Sequence, residues 1–247
     1  MRRKVPTGRL APVADERLRL IVDYEDAQDF LEDYAQNLAQ LRGVVQTERA
    51  VAAGTIVQLG LTFPGLREPI IVEGVVRDVA SSDAAWTHVE LVPSVRDSLR
   101  SLVDRIRADD RRVVAPVVRV LIAEDNAYVC ELVRTGVTTA ARRELRDTVF
   151  AFETAHDGGG ARELLATRRF DAAIIDVYLP VLDGEDLIRQ IRGDLGLATL
   201  PVIALSGGGE TARALALRAG ATAYLDKPIR LRMVVDALRE LIAVGHE

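Results

Sequence analysis

Two hydrophobic patterns divide the chain near residue 116. Beyond it, short unbroken apolar runs near 118–123, 149–154, 171–175, 201–205 and 222–225 alternate with segments of helical period near 127–146, 158–168, 185–193, 209–219 and 230–243. Continuous apolar runs of this length mark strands buried on both faces of a parallel sheet. Strand and helix in alternation, joined by right-handed crossovers, predict an α/β doubly wound (flavodoxin-like) domain with strand order 2-1-3-4-5.

Before residue 116 the period is two. Leu18, Leu20 and Val22 alternate with Arg17, Arg19, Ile21 and Asp23, the mark of a half-buried strand. Val44-Val45 with Thr47, the run 55–61, the run 69–76 and the run 86–91 are further strand candidates, and Phe63-Pro64-Gly65 is a turn between them. Residues 1–15 read as irregular. Several short strands with turns between them predict a small all-β barrel. Ser94 to Asp110 comes next as an amphipathic helix, with Ser94 as N-cap and Val95, Leu99, Leu102, Val103 and Ile106 on one face. It closes the barrel's end or connects it to the second domain. A homodimer through its apolar seam stays open, since two heptads are few for an independent coiled coil. The polar run 108–112 is a linker. The expected organisation is a barrel over 1–93, helix and linker over 94–115, and the doubly wound domain over 116–247.

The chemistry collects at the ends of the apolar runs. The run 118–123 ends in Glu124-Asp125, 172–175 in Asp176, and 201–205 in Ser206-Gly207; the run to Leu225 is followed by Asp226-Lys227-Pro228. Open α/β sheets bind ligands at the carboxyl ends of their strands. One edge is therefore expected to gather three carboxylates, a hydroxyl and an ammonium. Clustered carboxylates repel unless a cation lies among them, and hard oxygen donors with room for water suit Mg²⁺. A carboxylate beside Mg²⁺ can attack a phosphoryl group, while a lysine and a hydroxyl hold its other oxygens.

These motifs, in this order, resemble the receiver domain of two-component response regulators: Glu124-Asp125, Asp176 with Leu179-Pro180 and Asp183-Gly184, Ser206-Gly207, Lys227-Pro228, and Tyr224 at the aromatic switch position. The resemblance implies Asp176 as phosphoacceptor. It implies Mg²⁺ held by Glu124, Asp125, Asp176 and the backbone carbonyl of Tyr178. Ser206 and Lys227 would hold phosphoryl oxygens, Gly207 would leave space over Asp176, and the Lys227-Pro228 peptide would be cis. A sensor histidine kinase is the implied partner. The function implied is a signalling switch rather than an enzyme. Two departures stand out: extra length around Thr138 to Asp147, and bulky Tyr178 and small Gly208 beside the phosphorylation site.

Residues 14–107 resemble, in degenerate form, the PilZ family of cyclic-di-GMP-binding barrels, through Tyr34-Ala35-Gln36-Asn37-Leu38, Gly54-Thr55 and Glu73-Gly74-Val75-Val76. Asn37 of the nucleotide segment is present, but Ala39, Leu41 and Arg42 replace its serine and glycines. The positions of the two phosphate-gripping arginines fall on Ala11 and Asp15. Bidentate phosphate contacts are thereby lost, so no cyclic-di-GMP site is expected. The output is read as an adaptor acting through an unidentified protein target; the alternative is a dual sensor that also binds the dinucleotide.

Composition narrows the setting. Of the 247 residues 49% are hydrophobic, yet no apolar run reaches eighteen, so membrane insertion is not expected. A net charge of −5, with no basic block beyond the first residues, gives no footprint for nucleic acid, and DNA is not expected as a partner. No helix-turn-helix is expected after a receiver running to Glu247. One cysteine, Cys130, fits a reducing, cytoplasmic setting and reads as a small buried apolar residue. Three scattered histidines offer no zinc spacing.

Overall fold

The computed structural model describes residues 7–11, 18–47, 51–81, 85–144 and 148–244. The chain forms two compact units, residues 1–116 and 117–247.

The first unit is a closed six-stranded barrel. Its elements are β1 (Thr7–Ala11), β2 (Leu18–Asp23), α1 (Ala27–Gln36), β3 (Arg42–Thr47), β4 (Ile56–Thr62), β5 (Ile70–Ser81), β6 (Ala85–Leu91) and α2 (Arg96–Arg107). Around the barrel the strands run β1-β2-β4-β5-β6-β3. The period-two pattern delivers its core: Leu20 and Val22 of β2, Val57, Leu59 and Leu61 of β4, Val72 and Val76 of β5, and Val89 and Leu91 of β6 are all buried. Phe30 of α1 lies over this core, edge-on to Tyr24 and stacked on Phe63, with centroids 5.4 and 5.5 Å apart. Leu99, Val103 and Ile106 of α2 join the same core, so the helix face read from the sequence is spent within this unit.

Three features differ from expectation. β1 lies inside the stretch read as irregular; it pairs antiparallel with β2 and parallel with β3 and so closes the barrel. The rest of that stretch, and the Arg17 that heads the predicted β2 pattern, lie outside the described residues. α1 is absent from the expected elements, although Ala27, Phe30, Leu31 and Tyr34 stand at helical spacing and pack on the core, with only Phe30 fully buried. Its start is nonetheless marked, since the Asp26 carboxylate accepts from the Asp29 amide at 2.9 Å. Ser94 does not cap α2. The chain enters through a 3₁₀ turn over Pro93–Val95, and no side chain caps the first turn of α2. Proline's fixed φ favours that turn at its first position.

The second unit alternates strand and helix: β7 (Val117–Ala123), α3 (Ala127–Glu144), β8 (Val149–Ala155), α4 (Gly158–Thr167), β9 (Ala172–Asp176), α5 (Gly184–Arg192), β10 (Val202–Ser206), α6 (Gly209–Ala219), β11 (Ala223–Asp226) and α7 (Leu231–Val244). All pairings are parallel and the order is β11-β10-β9-β7-β8, the flavodoxin-like arrangement expected. One face of the sheet packs under α4, α5 and α6, the other under α3 and α7. Every residue of β9 and of β10 is buried, which is why neither strand shows alternation. The extra length read around Thr138 appears as a continuous 18-residue α3. No helix among the described residues is long and apolar enough to cross a membrane.

Candidate functional site

The site is built from the carboxyl ends of β7, β9, β10 and β11. β9 and β10 each run one residue further than the apolar pattern suggests, so Asp176 and Ser206 are the last residues of their strands. Backbone hydrogen bonding therefore fixes both side chains. Glu124 directly follows β7, where its amide donates to the Ala155 carbonyl at 3.0 Å. After Asp176 the chain turns sharply at Asp183-Gly184, and the Gly184 amide donates to the Val177 carbonyl at 2.9 Å. A Cβ on Gly184 would lie 2.0 Å from the Asp176 carbonyl oxygen, so this close approach requires glycine.

Glu124 and Asp176 are almost wholly buried, at 1% and 4% exposure, while Asp125 faces solvent. One carboxylate oxygen from each of the three lies within 4.8 Å of the others. Lys227 bridges the buried pair: its Nζ donates to Glu124 Oε2 at 2.7 Å and to Asp176 Oδ2 at 2.6 Å. The other oxygens receive backbone amides, Asn126 to Glu124 Oε1 at 3.3 Å and Tyr178 to Asp176 Oδ1 at 3.2 Å. Burial raises the Glu124 carboxyl above its ordinary value and the Asp176 charge adds to this, with Lys227 acting against both. Burial works against the Lys227 ammonium, but its two carboxylate partners more than offset it, and its pKa is raised. Cys130, buried beneath the site, donates weakly from Sγ to the Glu124 carbonyl, and burial pushes its thiol up.

Ser206 is fully buried; its Oγ accepts from the Gly208 amide at 3.1 Å, and its carbonyl accepts from the Lys227 amide at 2.9 Å. The Lys227-Pro228 peptide is cis. Tyr224 is turned inward at 9% exposure, with its hydroxyl directed at the carbonyls of Ser206 and Gly209, 3.4 and 3.5 Å away. Tyr178 is 61% exposed, with its ring against Gly208: a Cβ there would lie 2.5 Å from the tyrosine Oη. Gly207 is open, since a Cβ on it would meet only Lys227 Cβ, at 4.0 Å.

The structure thus gathers Glu124, Asp125, Asp176 and Lys227 directly and ties Ser206 to Lys227 through the backbone. Asn37 of the barrel is occupied elsewhere, donating to Asp33 at 2.6 Å, while Asp33 also accepts from the Tyr24 hydroxyl at 2.7 Å. Leu41, at an expected glycine position, adopts φ 61° with its side chain buried. Ala11 lies in β1, and Asp15 lies outside the described residues. Sequence reasoning missed two neighbours of the site: His156, whose Nδ1 lies 3.2 Å from the Glu124 carbonyl, and Arg213, whose guanidinium lies 5.8 Å from the Tyr224 ring centroid. His156 follows a strand end like the others and could have been found by the same rule. Arg213 carries no local signal.

The oxygen donors fit a small hard cation. Three carboxylates converge within reach of one ion, and exposed Asp125 gives the cluster a solvent-facing side, which suits a hard cation that would keep water among its ligands.

Known proteins share this half of the chain. Residues 120–239 match the family model described as the response regulator receiver domain. Relatives over this half include the response regulator MprA of Mycobacterium tuberculosis, 35% identical over 126 residues, and that of Mycobacterium ulcerans, 36% identical over 128 residues. Each match covers 51% of this chain and 50% of the relative, so the chain spans about half the length of the curated relatives it matches. Similar solved structures include the receiver domain of Francisella response regulator 1452 (26% identity, TM-score 0.44, covering 51% of this chain and 98% of that one). Another is the receiver domain of sensor histidine kinase PA1611 from Pseudomonas aeruginosa PAO1, solved with a magnesium ion coordinated in its active site cleft (27% identity, TM-score 0.45, covering 51% of this chain and 97% of that one). One expectation is corrected. The matched MprA proteins are DNA-binding response regulators, so the exclusion of DNA as a partner does not stand. That exclusion rested on a net charge of −5 and the lack of a basic block, and overall charge does not report on a local contact surface.

Proposed function

We propose that the chain is a two-component response regulator in which a histidine kinase phosphorylates Asp176. The observation that carries this reading is the bridge from Lys227 to both Glu124 and Asp176, which places an ammonium on the carboxylate that would accept the phosphoryl group. Asp176 Oδ1 or Oδ2 attacks the phosphorus in line, and the donor's leaving group departs on the far side. Glu124, Asp125, Asp176 and the Tyr178 carbonyl would hold Mg²⁺, which supplies charge neutralisation for the phosphoryl oxygens when bound. Lys227 stays beside the former carboxylate and pairs with one phosphoryl oxygen. Ser206 donates to another by exchanging its present bond with the Gly208 amide. Gly207, with nothing closer than 4.0 Å to a would-be Cβ, leaves the loop free to close.

The phosphoryl group adds about two negative charges and several acceptor oxygens. It favours the arrangement with Ser206 drawn in and Tyr224 inward, a population shift driven by differential contact. The barrel, a PilZ-like unit over 1–93 with its helix and linker over 94–115, is proposed as the output that passes the state of the receiver, 116–247, to a protein partner in the cytoplasm. The engagement of Asn37 with Asp33, and the buried side chain of Leu41, support a barrel that works without cyclic-di-GMP.

The test is phosphoryl uptake from acetyl phosphate. Wild type is expected to become labelled only with Mg²⁺ present, and Asp176→Asn to remain unlabelled. Equal labelling of the two proteins would refute the assignment. Calorimetry with cyclic-di-GMP is expected to show no heat at micromolar ligand.

A further inference from the structure

The Tyr224 ring is buried in the apolar cluster on one face of the sheet, where Ala204, Ala216, Ala219 and Ala221 are its small neighbours, while its polar contacts are weak. Its two hydroxyl contacts, 3.4 and 3.5 Å, sit at the limit of a hydrogen bond and share one proton. The loop they bind is Ser206-Gly207-Gly208-Gly209, three glycines in succession, with Gly209 at φ 64°. Such a loop is permissive and gives the tyrosine little to rest on. Tyr178 lies against Gly208 from outside, and its own ring is mostly exposed. A further contact comes from Arg213, on the first turns of α6, with its guanidinium over the Tyr224 ring at 5.8 Å. Its neighbours on that helix, Ala212 and Ala216, are buried and small, and Arg213 itself is exposed.

We infer that Arg213 is a positioning residue for the switch, a cationic latch that holds the Tyr224 ring inward before Asp176 is modified. This rests on the proposed switch and deepens it, by naming what biases the ring, before modification, toward the inward position that the phosphoryl group favours further. An exposed cation over a tyrosine face biases two positions of the ring by roughly two- to fivefold. The latch does not touch the phosphoryl site, so it alters the resting population of the switch and leaves the chemistry at Asp176 unchanged. With the guanidinium removed, the inward ring keeps its packing against the small residues of the apolar cluster and two marginal hydrogen bonds to a glycine loop, loses the cation, and the outward position gains population by that factor.

The experiment uses the full chain labelled with 3-fluorotyrosine, its five resonances assigned by single Tyr→Phe variants. Without Mg²⁺ or phosphoryl mimic, Arg213→Ala and Arg213→Gln are expected to broaden or split the Tyr224 resonance toward an exposed position. The outward population should rise two- to fivefold over wild type. Arg213→Lys, which keeps a cation, is expected to retain the wild-type resonance. A Tyr224 signal in Arg213→Ala identical to wild type overturns the latch, and so does equal displacement in the lysine and alanine variants. Adding Mg²⁺ and beryllofluoride separates this from the reading beneath it. If the mimic shifts the Gly207 and Gly208 amides in wild type and variants alike, the switch stands and the latch is judged on Tyr224 alone. If the mimic shifts them in none, the switch reading fails first and the latch falls with it.

Discussion

Lys227→Met isolates the electrostatic premise of the site. In the wild type one ammonium serves two buried carboxylates at 2.6 and 2.7 Å. Remove it, and Glu124 and Asp176 face one another with oxygens within 4.8 Å. At an effective dielectric of about 20, two like charges at that distance repel by roughly 3.5 kcal/mol. The chain has one escape, which is to protonate Glu124, already raised by burial. Holding a carboxyl of ordinary pKa near 4.5 protonated at pH 7 costs about 3.4 kcal/mol, at roughly 1.4 kcal/mol per unit. The two routes agree, and relief of the lysine's own burial cost trims the total, so the loss is expected to be about 2–3 kcal/mol at pH 7. The direction with pH is set by the same group. A carboxyl raised in the folded state takes up its proton more readily than in the unfolded chain. Stability is therefore lost as pH rises through the folded value and regained as pH falls. The deficit of the variant should shrink by about 1.4 kcal/mol per unit and nearly vanish near pH 5. Mg²⁺ should stabilise the variant more than the wild type, because no ammonium competes for the carboxylates; at a hundred times its Kd it returns about 2.7 kcal/mol. The single tryptophan, Trp86, lies in the barrel, so its fluorescence does not report on this site. Hydrogen exchange of the β9 and β10 amides is the appropriate measurement. Protection in Lys227→Met equal to wild type at pH 7 without Mg²⁺, or a deficit that does not change with pH, would refute the reasoning.

Other substitutions test the frame around the site. Val181 adopts φ 69° between Pro180 and Leu182, whose amide donates back to the Pro180 carbonyl at 2.8 Å; this is a strained γ-turn with a β-branched residue at its centre. The side chain is 88% exposed, so Val181→Gly should gain about 1 kcal/mol in protection of β9 with no burial lost, and a decrease would count against the strain. Gly184→Ala forces a carbon onto the Asp176 carbonyl and should cost more than about 2 kcal/mol, with phosphoryl uptake falling in parallel; unchanged uptake would show the turn is not coupled to the acceptor. Leu41 combines φ 61° with a buried side chain, so Leu41→Ala should cost about 2–5 kcal/mol and Leu41→Gly roughly 1 kcal/mol less, the reverse of the usual order. Denaturation followed by Trp86 fluorescence reads this comparison, and a glycine variant weaker than the alanine one would contradict it.

The two halves of the chain differ in how openly they carry their structure, and burial explains why. Strands β9 and β10 are buried on both faces, so each reads as an unbroken apolar run whose first polar residue lies in the candidate site. Asp176 and Ser206 could be located because nothing else in those strands is polar. Glu124 follows the same rule at β7, while at β11 the first polar residue is Asp226 and Lys227 comes one later; the rule also placed β9 and β10 one residue short, since a strand that ends in a buried carboxylate or hydroxyl does not look like a strand at that position. The barrel is legible only where alternation is clean. β1, TGRLA, has too few apolar residues to show a period, and its strand character comes from closure against β2 and β3, partners distant in sequence. α1 carries a short stripe, Ala27, Phe30, Leu31 and Tyr34 at i, i+3, i+4 and i+7, which packs on the barrel core; the helical period is present in the sequence and goes unread because it spans only two turns among polar residues.

The contacts that set the behaviour of the site are the least visible in the sequence, for the same physical reason. Glu124 and Lys227 are 103 positions apart, with no local signal that these side chains touch; only the sheet order brings β7, β9 and β11 ends together. Once that order is known, the ammonium must lie near the carboxylates, and the energetic question becomes what replaces it when a phosphoryl group arrives. Lys227 satisfies two carboxylates now. A phosphorylated Asp176 presents oxygens beyond its former position, and Lys227 can follow them only by lengthening its bond to Glu124. The protein then leaves Glu124, 1% exposed, with less compensation than before unless a cation joins it. The modified state is therefore expected to bind Mg²⁺ more tightly than the resting state, and by reciprocity Mg²⁺ favours the modified state by the same factor. A Mg²⁺ titration of resting and beryllofluoride-bound protein giving equal affinities would show that Lys227 keeps both partners and that the competition for it, the premise of this coupling, is absent.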